Sequence, residues 1–309
     1  MSESNGTLES GARRRYERAL GRYRSACNSR AVATFCSSPL NVAGLGIVAA
    51  ITVAAVLGPI FAPYEPASQD LANRLQGPSL AHPFGTDQLG RDVFSRVLHG
   101  ARLSLGIAVV VTAIRLVLGT TIGLVAGYAG GWVDEALMRL VDVQLAFPGL
   151  ILALVIAGVL GPSLRNVMIA LAAVGWASYA RIVRGSVLST REREFVQAAQ
   201  LMGVSRVRIT IRHLLPNVAS PVIVLATLNM GTVILGTAGL SFIGLGAQPP
   251  TPEWGTMLSA GRYHLRDAWW IANAPGVAIM LTVLGFNLLG DGLRDVLDPK
   301  HDPTPEKSA

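Results

Sequence analysis

The stretch REREFVQAAQLMGVSRVRITIRHLLPN, residues 191–217, decides the fold because it interrupts a chain otherwise made of long apolar runs. The 309-residue chain is 51% hydrophobic and only 15% charged, whereas soluble domains contain about 25% charged residues. Several apolar runs approach the roughly 20 residues that a membrane-spanning helix requires. The composition therefore predicts an all-α membrane protein and excludes an ordinary soluble domain.

Hydropathy predicts about six transmembrane helices, and the arginines predict their orientation. Seven arginines precede the first apolar run, and 184–217 is the most basic segment between later runs. Because positive residues are retained in the cytoplasm, 184–217 and both termini are expected inside, with 63–102 and 239–269 outside. The predicted spans are roughly 40–62, 103–128, 139–160, 166–183, 218–238 and 270–290.

The spans and loops divide the chain into successive segments. The basic N-terminal segment is expected in the cytoplasm, either as a helix lying on anionic lipid or as an unstructured leader. The polar tail contains prolines, which is typical of disorder. In chain order we expect the basic segment 1–39, a first transmembrane helix 40–62, an extracytoplasmic segment 63–102 with an amphipathic helix, a core 103–296 with a cytoplasmic loop 189–216, and a cytoplasmic tail 297–309.

The segment before the second span has the pattern of an amphipathic helix. Its apolar positions fall on one helical side and its charged positions on the other. We expect this helix to rest on the outer surface of the membrane, mainly in a structural role. The apolar side comprises Val93, Phe94, Val97 and Leu98, and the charged side comprises Arg91, Asp92 and Arg96.

The sequence lacks the motifs of common nucleotide-binding and hydrolytic sites. A P-loop requires a lysine after a glycine-rich turn, but the chain has only Lys300 and Lys307, both in the polar tail. It contains no H-E-x-x-H zinc motif and no G-x-S-x-G nucleophile motif. Its two cysteines, Cys27 and Cys36, have no histidine nearby. We therefore expect no catalytic residue, metal site or cofactor in this chain, and no nucleic-acid partner, since the arginines flank apolar spans.

Polar residues within the predicted spans are candidates for a translocation path. Arg115 lies near the middle of the second span, where a charge is costly and usually faces the bundle interior or water. Three roles are open for it: contact with a transported solute, pairing with a neighbouring helix or subunit, or extension toward the interface. Asn229 and Asn287, in the fifth and sixth spans, either line the path or form interhelical hydrogen bonds.

The charged interruption has the signals of two short helices joined at a glycine, and we name residues 189–216 the elbow. Ser189 and Glu192 have the spacing of a capping box, which predicts a helix start. The helix is expected to run to Met202, with Gly203 as the residue that terminates it.

The two helices of the elbow each have an apolar side. Ser205 is expected to cap the second helix and Pro216 to stop it before the next span. Small residues on the first helix leave room for another surface to come close, so the spacing leaves two roles open: docking on a partner, or an elbow at the membrane interface without a partner. The first face comprises Phe195, Ala198, Ala199 and Met202, and the second comprises Val207, Ile211, Leu214 and Leu215.

The elbow resembles the cytoplasmic coupling loop of ABC-importer permeases. QAAQLMG, nine residues and HLLP follow that family's pattern of E-A-A-x-x-x-G, nine residues and I-x-L-P. In the family, the short helix fits into a cleft of an ATP-hydrolysing subunit. Gln197 stands in place of the usual Glu and His213 in place of the usual Ile. The predicted ATPase-coupling residues are Gln197, Ala198, Ala199, Met202, Gly203, Leu215 and Pro216.

Three further stretches narrow the resemblance to the C-type permeases of the dipeptide, oligopeptide and nickel importers. They are HPFGTDQLGRDVFSRVLHGARLSL (82–105), LSFIGLGAQPPTPEWGTMLSAGR (240–262) and FNLLGDGLRDVLDP (286–299). Together with the elbow they extend the resemblance over about residues 40–299. One position departs: Thr237 occupies the place of a Glu that commonly precedes the LSF motif.

The resemblance implies a type I ABC-importer permease fold with a cytoplasmic coupling helix, in a bacterial inner membrane. It implies a non-catalytic subunit that works with a homologous second permease, two ATPase subunits or domains that bind ATP and Mg²⁺, and an extracytoplasmic binding protein. Peptides are the expected cargo, with nickel or another small solute as the alternative. An autonomous secondary carrier is the competing class of function.

Overall fold

The computed structural model describes residues 32–297. Most of the basic segment 1–39 and nearly all of the tail 297–309 lie outside the described residues, so their predicted structures stay predictions. Within the described range the regular structure is helical, without β-strands. The helices are α1 (Pro39–Phe61), α2 (Val93–Ala129), α3 (Gly131–Leu145), α4 (Gly149–Leu160), α5 (Leu164–Arg191), α6 (Glu194–Leu201), α7 (Arg206–Ile209), α8 (Leu215–Phe242), α9 (Trp254–Gly261) and α10 (Trp270–Leu297).

The helices make six passes through the bundle, the number predicted. Five helical runs in the described residues are long and apolar enough to cross a membrane alone, and α3 with α4 forms a bent candidate. Gly123 of α2 lies against Val183 of α5, and Gly127 lies against Val187. The two helices therefore run parallel. Because parallel neighbours require the chain between them to return, α3 and α4 together make one pass.

The third pass is longer than the span predicted over 139–160, because it begins at Gly131. It consists of α3 and α4, whose axes differ by 85° across the break at residues 146–148. Pro148 explains the break, because proline has no N–H for the helical hydrogen bonds and disfavours helical geometry in the residue before it. Hydropathy detects the pass as one apolar run but contains no information about the bend.

The second pass begins earlier than predicted. α2 is one helix of 37 residues, so the predicted amphipathic helix forms its first turns and is not a separate element. The expectation that this segment rests on the membrane surface is wrong, because Arg91, Asp92 and Arg96 are all buried. Arg91 and Asp92 pair with Asp87 and His82 of the same segment, whereas Arg96 reaches backbone carbonyls from distant parts of the chain.

The remaining passes alternate in direction. Gly231 of α8 lies against Val283 of α10, and Gly290 of α10 lies against Leu228, so these helices are antiparallel. Gly44 of α1 in turn contacts Leu288. The alternation places the elbow and the C-terminal ends of α2 and α5 at one end of the bundle. Residues 62–92 and 243–269 lie at the other end, and we name them the polar cap.

Candidate functional site

The first helix of the elbow ends in a regular glycine turn. α6 ends at Leu201, and Gly203 adopts a φ of 73°, a conformation that side chains disfavour. The Gly203 N–H donates to the Gln200 carbonyl at 3.0 Å, and the Val204 N–H donates to the Ala199 carbonyl at 3.1 Å. These two bonds form a Schellman motif, so the prediction that Gly203 terminates the helix is confirmed.

The start of the elbow differs from the prediction. Ser189 lies inside α5, which continues to Arg191, so no capping box with Glu192 begins a helix there. α6 begins at Glu194, without a side-chain cap. The last turns of α5 pack against α2 at Val187. This packing keeps α5 helical past Ser189 despite the local signal for a new helix, because tertiary contacts supply most helical stability.

One face of α6 is covered by the rest of the chain. Val196 is 0% exposed and Ala199 is 4% exposed, and both pack into a cluster with Tyr179, Val183 and Val187. The prediction that Ala199 shares a free face with Ala198 and Met202 is therefore wrong. A short helix lying across the bundle must turn one side toward it, and the branched side chain of Val196 determines which side that is.

The opposite face of α6 exposes large apolar side chains, and we name Phe195, Ala198, Leu201 and Met202 the docking face. Leu201 is 90% exposed and Met202 is 77% exposed. Clustered apolar exposure of this kind is typical of an interaction surface. Gln197 and Gly203 are also exposed, and the Gln197 Nε2 donates to the Glu192 carbonyl at 3.1 Å.

The second half of the elbow continues into the next pass without a break. α7, a π-helical turn (Thr210–Leu214) and α8 form one helical run to Phe242. Pro216 lies in the first turn of α8 and does not stop the helix, contrary to the prediction. The Leu215 N–H donates to the Thr210 carbonyl, five residues back. This wider turn shifts the hydrogen-bond register just before the proline, whose missing N–H would interrupt a regular helix.

The π turn also changes which residues of the second half are buried. Ile209 and Leu214 are buried, whereas Val207 and Ile211 are exposed, so the predicted common face is wrong. The 3.6-residue period of an α-helix does not hold through a π turn, in which the N–H bonds to the carbonyl five residues back. Leu215 and Pro216 are exposed.

Arg115, one of the predicted path residues, lines a cavity inside the bundle. The cavity has a volume of about 520 Å³ and lies between α2, the bend of α3 and α4, α5 and α8. The Nε and Nη2 of Arg115 donate to the Leu171 carbonyl at 2.9 Å and 2.6 Å. The bent third pass, which hydropathy did not predict, opens this space.

The two asparagines predicted for the path lie elsewhere. Asn229 accepts a hydrogen bond from the Thr232 hydroxyl at 3.1 Å, and Thr232, not Asn229, lines the cavity. Asn287 is exposed on α10, away from the cavity lining. The structure therefore brings Arg115 to the cavity and neither asparagine.

The polar cap holds a buried charged cluster whose burial the sequence did not predict. Asp87 accepts a hydrogen bond from Arg91 Nε at 2.7 Å, and Arg96 Nε lies 3.8 Å from the same carboxylate. Arg96 Nη1 also donates to the Pro66 carbonyl at 2.7 Å and to the Pro250 carbonyl at 3.4 Å. The i, i+4 spacing of Asp87 and Arg91 was the available signal, but it does not reveal which chain segments cover the pair.

The sequence matches two described families. Residues 119–302 match the family described as "binding-protein-dependent transport system inner membrane component". Residues 29–78 match the "N-terminal TM domain of oligopeptide transport permease C". The two matches cover the elbow, the first pass and the lining of the cavity other than Arg115.

Curated relatives match most of the chain. It is 49% identical to the dipeptide transport system permease protein DppC of Alkalihalophilus pseudofirmus, covering 84% of this chain and 86% of the relative. It is 46% identical to the probable D,D-dipeptide transport system permease protein DdpC of Escherichia coli (strain K12), covering 85% and 88%. It is 48% identical to the glutathione transport system permease protein GsiD of Escherichia coli O157:H7, covering 81% and 83%.

A solved structure shares the fold. The MetNI methionine ABC transporter in an inward-facing conformation contains a chain that matches with a TM-score of 0.54 and 18% identity. The match covers 65% of this chain and 96% of that chain. At this identity the likeness supports the helical architecture alone.

Proposed function

The chain belongs to the family of binding-protein-dependent transport system inner membrane components, and from this membership we propose that it is one of two transmembrane subunits of an ATP-driven importer. It forms the translocation path with a homologous second permease and receives cargo from an extracytoplasmic binding protein. Two partner ATPase subunits or domains bind ATP and Mg²⁺ and perform the hydrolysis. In a bacterial inner membrane, the elbow and both termini face the cytoplasm, and the polar cap faces outward.

Peptides are the proposed cargo. The relatives named above carry names of dipeptide, D,D-dipeptide and glutathione transport at 46–49% identity, and each of these names refers to a compound built from linked amino acids. The match to an oligopeptide permease domain in the first pass supports the same class.

The observation that carries the proposed coupling to an ATPase is the docking face of the elbow. Two of its side chains, Leu201 and Met202, are almost wholly exposed although they are large and apolar. They lie on a helix whose other face is fixed by Val196 and Ala199. An apolar surface on an anchored helix is suited to receive a partner and to transmit its movement.

The elbow is connected to several passes, so a force on it moves more than a loop. Val196 and Ala199 pack into one cluster with residues of α5 and α8. Near the same end, Arg184 of α5 donates two hydrogen bonds to Asp134 of α3, at 2.5 Å and 2.7 Å. Closure of the ATPases on ATP binding would thus reorient α3, α5 and α8 together. ATP must bind the outward-facing state more tightly for this to happen, since a ligand shifts an equilibrium only through differential affinity.

Leu201→Asp tests the docking face in the complete transporter. A charge at the centre of an apolar interface has to be desolvated without a partner, which typically costs about 2–4 kcal/mol and so weakens association roughly 30-fold or more. We expect loss of ATPase co-purification and loss of ATP-dependent dipeptide uptake in proteoliposomes, while the variant still inserts into the membrane.

Leu80→Asp is the matched control, because Leu80 is a fully exposed leucine in the polar cap, at the other end of the bundle. It should leave ATPase co-purification unchanged. If Leu201→Asp retains both ATPase binding and uptake, the elbow does not couple transport to ATP hydrolysis. Uptake by wild-type protein without any ATPase would instead support an autonomous carrier.

A further inference from the structure

Arg115 presents an unused hydrogen-bonding edge to the cavity in the bundle. Its side chain is 7% exposed, and its Nε and Nη2 donate to one acceptor, the Leu171 carbonyl. A guanidinium has five N–H donors in a planar fork. Among residues 32–297 the Nη1 of Arg115 has no hydrogen-bond acceptor, so the edge formed by Nη1 and Nη2 remains available toward the cavity.

The charge of Arg115 has no counter-ion among the described residues. In the part of the chain that the structure describes, the ion pairs involve other arginines and one histidine, and none includes Arg115. The residue lies 14 positions before Ala129, the last residue of α2, which is roughly 20 Å along the helix axis. A buried charge at this depth requires an anion or water within reach.

A glycine on the neighbouring helix makes room for the guanidinium. A Cβ atom at Gly175 of α5 would overlap the Nε, Cζ and Cδ atoms of Arg115. The arginine therefore lies flat against the α5 backbone, held at one edge by the Leu171 carbonyl. This fixes the direction of the free edge before any ligand arrives, which lowers the entropic cost of binding.

The remaining cavity wall suits a short peptide. Its volume of about 520 Å³ falls within the range of roughly 300–1,000 Å³ that small-molecule sites occupy. Apolar side chains such as Phe147 and Leu235 lie beside the polar groups of Gln144, Ser178 and Thr232. The Gln144 Nε2 is already bound to the Ala173 and Val174 carbonyls at 2.6 Å and 2.7 Å, so Arg115 supplies the charge of the site.

We propose that this cavity is a cargo-binding site within the membrane, where the free edge of Arg115 binds the C-terminal carboxylate of the transported peptide. The inference rests on the proposed peptide importer and adds to it a membrane site that selects for a free carboxylate. A carboxylate matches the Nη1–Nη2 edge with two parallel hydrogen bonds, and it neutralises the buried charge during passage.

The test compares alanyl-alanine with alanyl-alaninamide. The two compounds are almost equal in size, but only alanyl-alanine carries the negatively charged C-terminal carboxylate. Uptake of each is measured in proteoliposomes containing the complete transporter, and each kcat/KM is divided by the affinity of the isolated binding protein for that compound. Arg115→Gln should lower this corrected ratio of dipeptide to amide by about tenfold to a hundredfold, the size expected for a hydrogen-bonded charge pair. Arg115→Lys should restore most of the ratio, because it keeps the charge.

Two further variants separate a binding role from a structural one. Arg102→Gln removes the same charge from an exposed position on the same helix and should leave the corrected ratio unchanged. Gly175→Ala keeps the charge but displaces the guanidinium, so it should raise the KM for the dipeptide more than the KM for the amide.

The outcomes are distinct. An unchanged ratio in Arg115→Gln, with normal uptake of both compounds, overturns the carboxylate site and leaves the importer intact. Dissociation of the two permease subunits in Arg115→Gln also overturns it, because Arg115 then pairs with an acid of the second permease. Absence of binding-protein-dependent uptake in the wild type contradicts the proposed function itself.

Discussion

The elbow and the polar cap, at opposite ends of the bundle, differ in which side chains they expose and which they bury. The elbow leaves large apolar side chains in the open, with Leu201 and Met202 nearly fully exposed. The polar cap instead buries charges, since Asp87, Arg91 and Arg96 are each 5% exposed or less. Apolar groups are thus outside at one end, and ionic groups are inside at the other.

The difference shows which end is complete without partners. In the polar cap the buried charges contact each other and backbone carbonyls, so this chain alone satisfies them. The docking face of the elbow has no such cover among the described residues, as the proposed docking of an ATPase subunit requires. We therefore expect substitutions in the cap to act on the stability of the chain and substitutions in the elbow to act on coupling.

The largest effect on stability is expected from Asp87→Ala in the polar cap. Asp87 accepts hydrogen bonds from the Arg91 side chain and from the N–H groups of Leu89 and Arg91. Removing it leaves two buried guanidinium groups without their carboxylate, and breaking a buried ion pair in this way costs about 3–5 kcal/mol. Thermal unfolding of the detergent-solubilised protein measures the loss.

Glu65→Ala is the control for Asp87→Ala, since Glu65 is an exposed carboxylate in the same cap. It should change the free energy of unfolding by no more than about 0.5 kcal/mol. Equal melting temperatures for the two variants would mean that the buried cluster does not stabilise the cap, and the contrast between the two ends would fail.

A smaller effect on stability, with a large effect on transport, is expected from Gly203→Asp in the elbow. The positive φ of Gly203 costs a residue with a side chain about 1–2 kcal/mol, and a Cβ there meets no atom of this chain within 4 Å. The variant should insert and fold, while the new charge beside the docking face abolishes ATP-dependent uptake. Uptake assays in proteoliposomes, together with ATPase co-purification, measure the result.

Gly161→Asp matches this substitution at the other end of the bundle, because Gly161 also has a positive φ and open space around its Cβ position. The strain is similar but the docking face is untouched, so uptake should persist. Normal uptake in Gly203→Asp, or equal loss in both variants, contradicts a coupling role for the elbow.

The smallest effect is expected from Gln197→Glu. Gln197 is exposed and donates one hydrogen bond, to the Glu192 carbonyl, which Glu cannot donate. Such a surface change alters stability by no more than about 0.5 kcal/mol, and an exposed ion pair contributes about 1 kcal/mol at most. Uptake should therefore change by less than about fivefold. A larger change in uptake, with a matching change of affinity in a titration of ATPase binding, would show that the charge at this position takes part in docking.

The coarse fold followed from the sequence because it depends on properties of whole segments. The apolar runs gave six passes, and Gly203 marked the end of the elbow helix, since both the cost of polar backbone in lipid and the conformational freedom of glycine act locally. The position of the elbow between the fourth and fifth predicted spans followed in the same way.

The faces of short helices did not follow from the sequence. The periodicity of α6 placed Ala199 beside Ala198 and Met202, but it could not distinguish the side that meets α5 from the side that stays exposed. Ser189 has the sequence signal of a helix start, but it lies inside α5, which packs against α2. In both cases the neighbouring helix decided the outcome.

The sequence by itself determined that this chain crosses a membrane several times, with a charged elbow between two spans, because hydropathy and charge are summed over neighbouring residues. Only the tertiary structure decided that Arg96 is buried against Pro66 and Pro250, and that Arg115 lines a cavity beside the bend of the third pass. These features join residues distant in the chain, so their energies depend on packing that no local pattern contains.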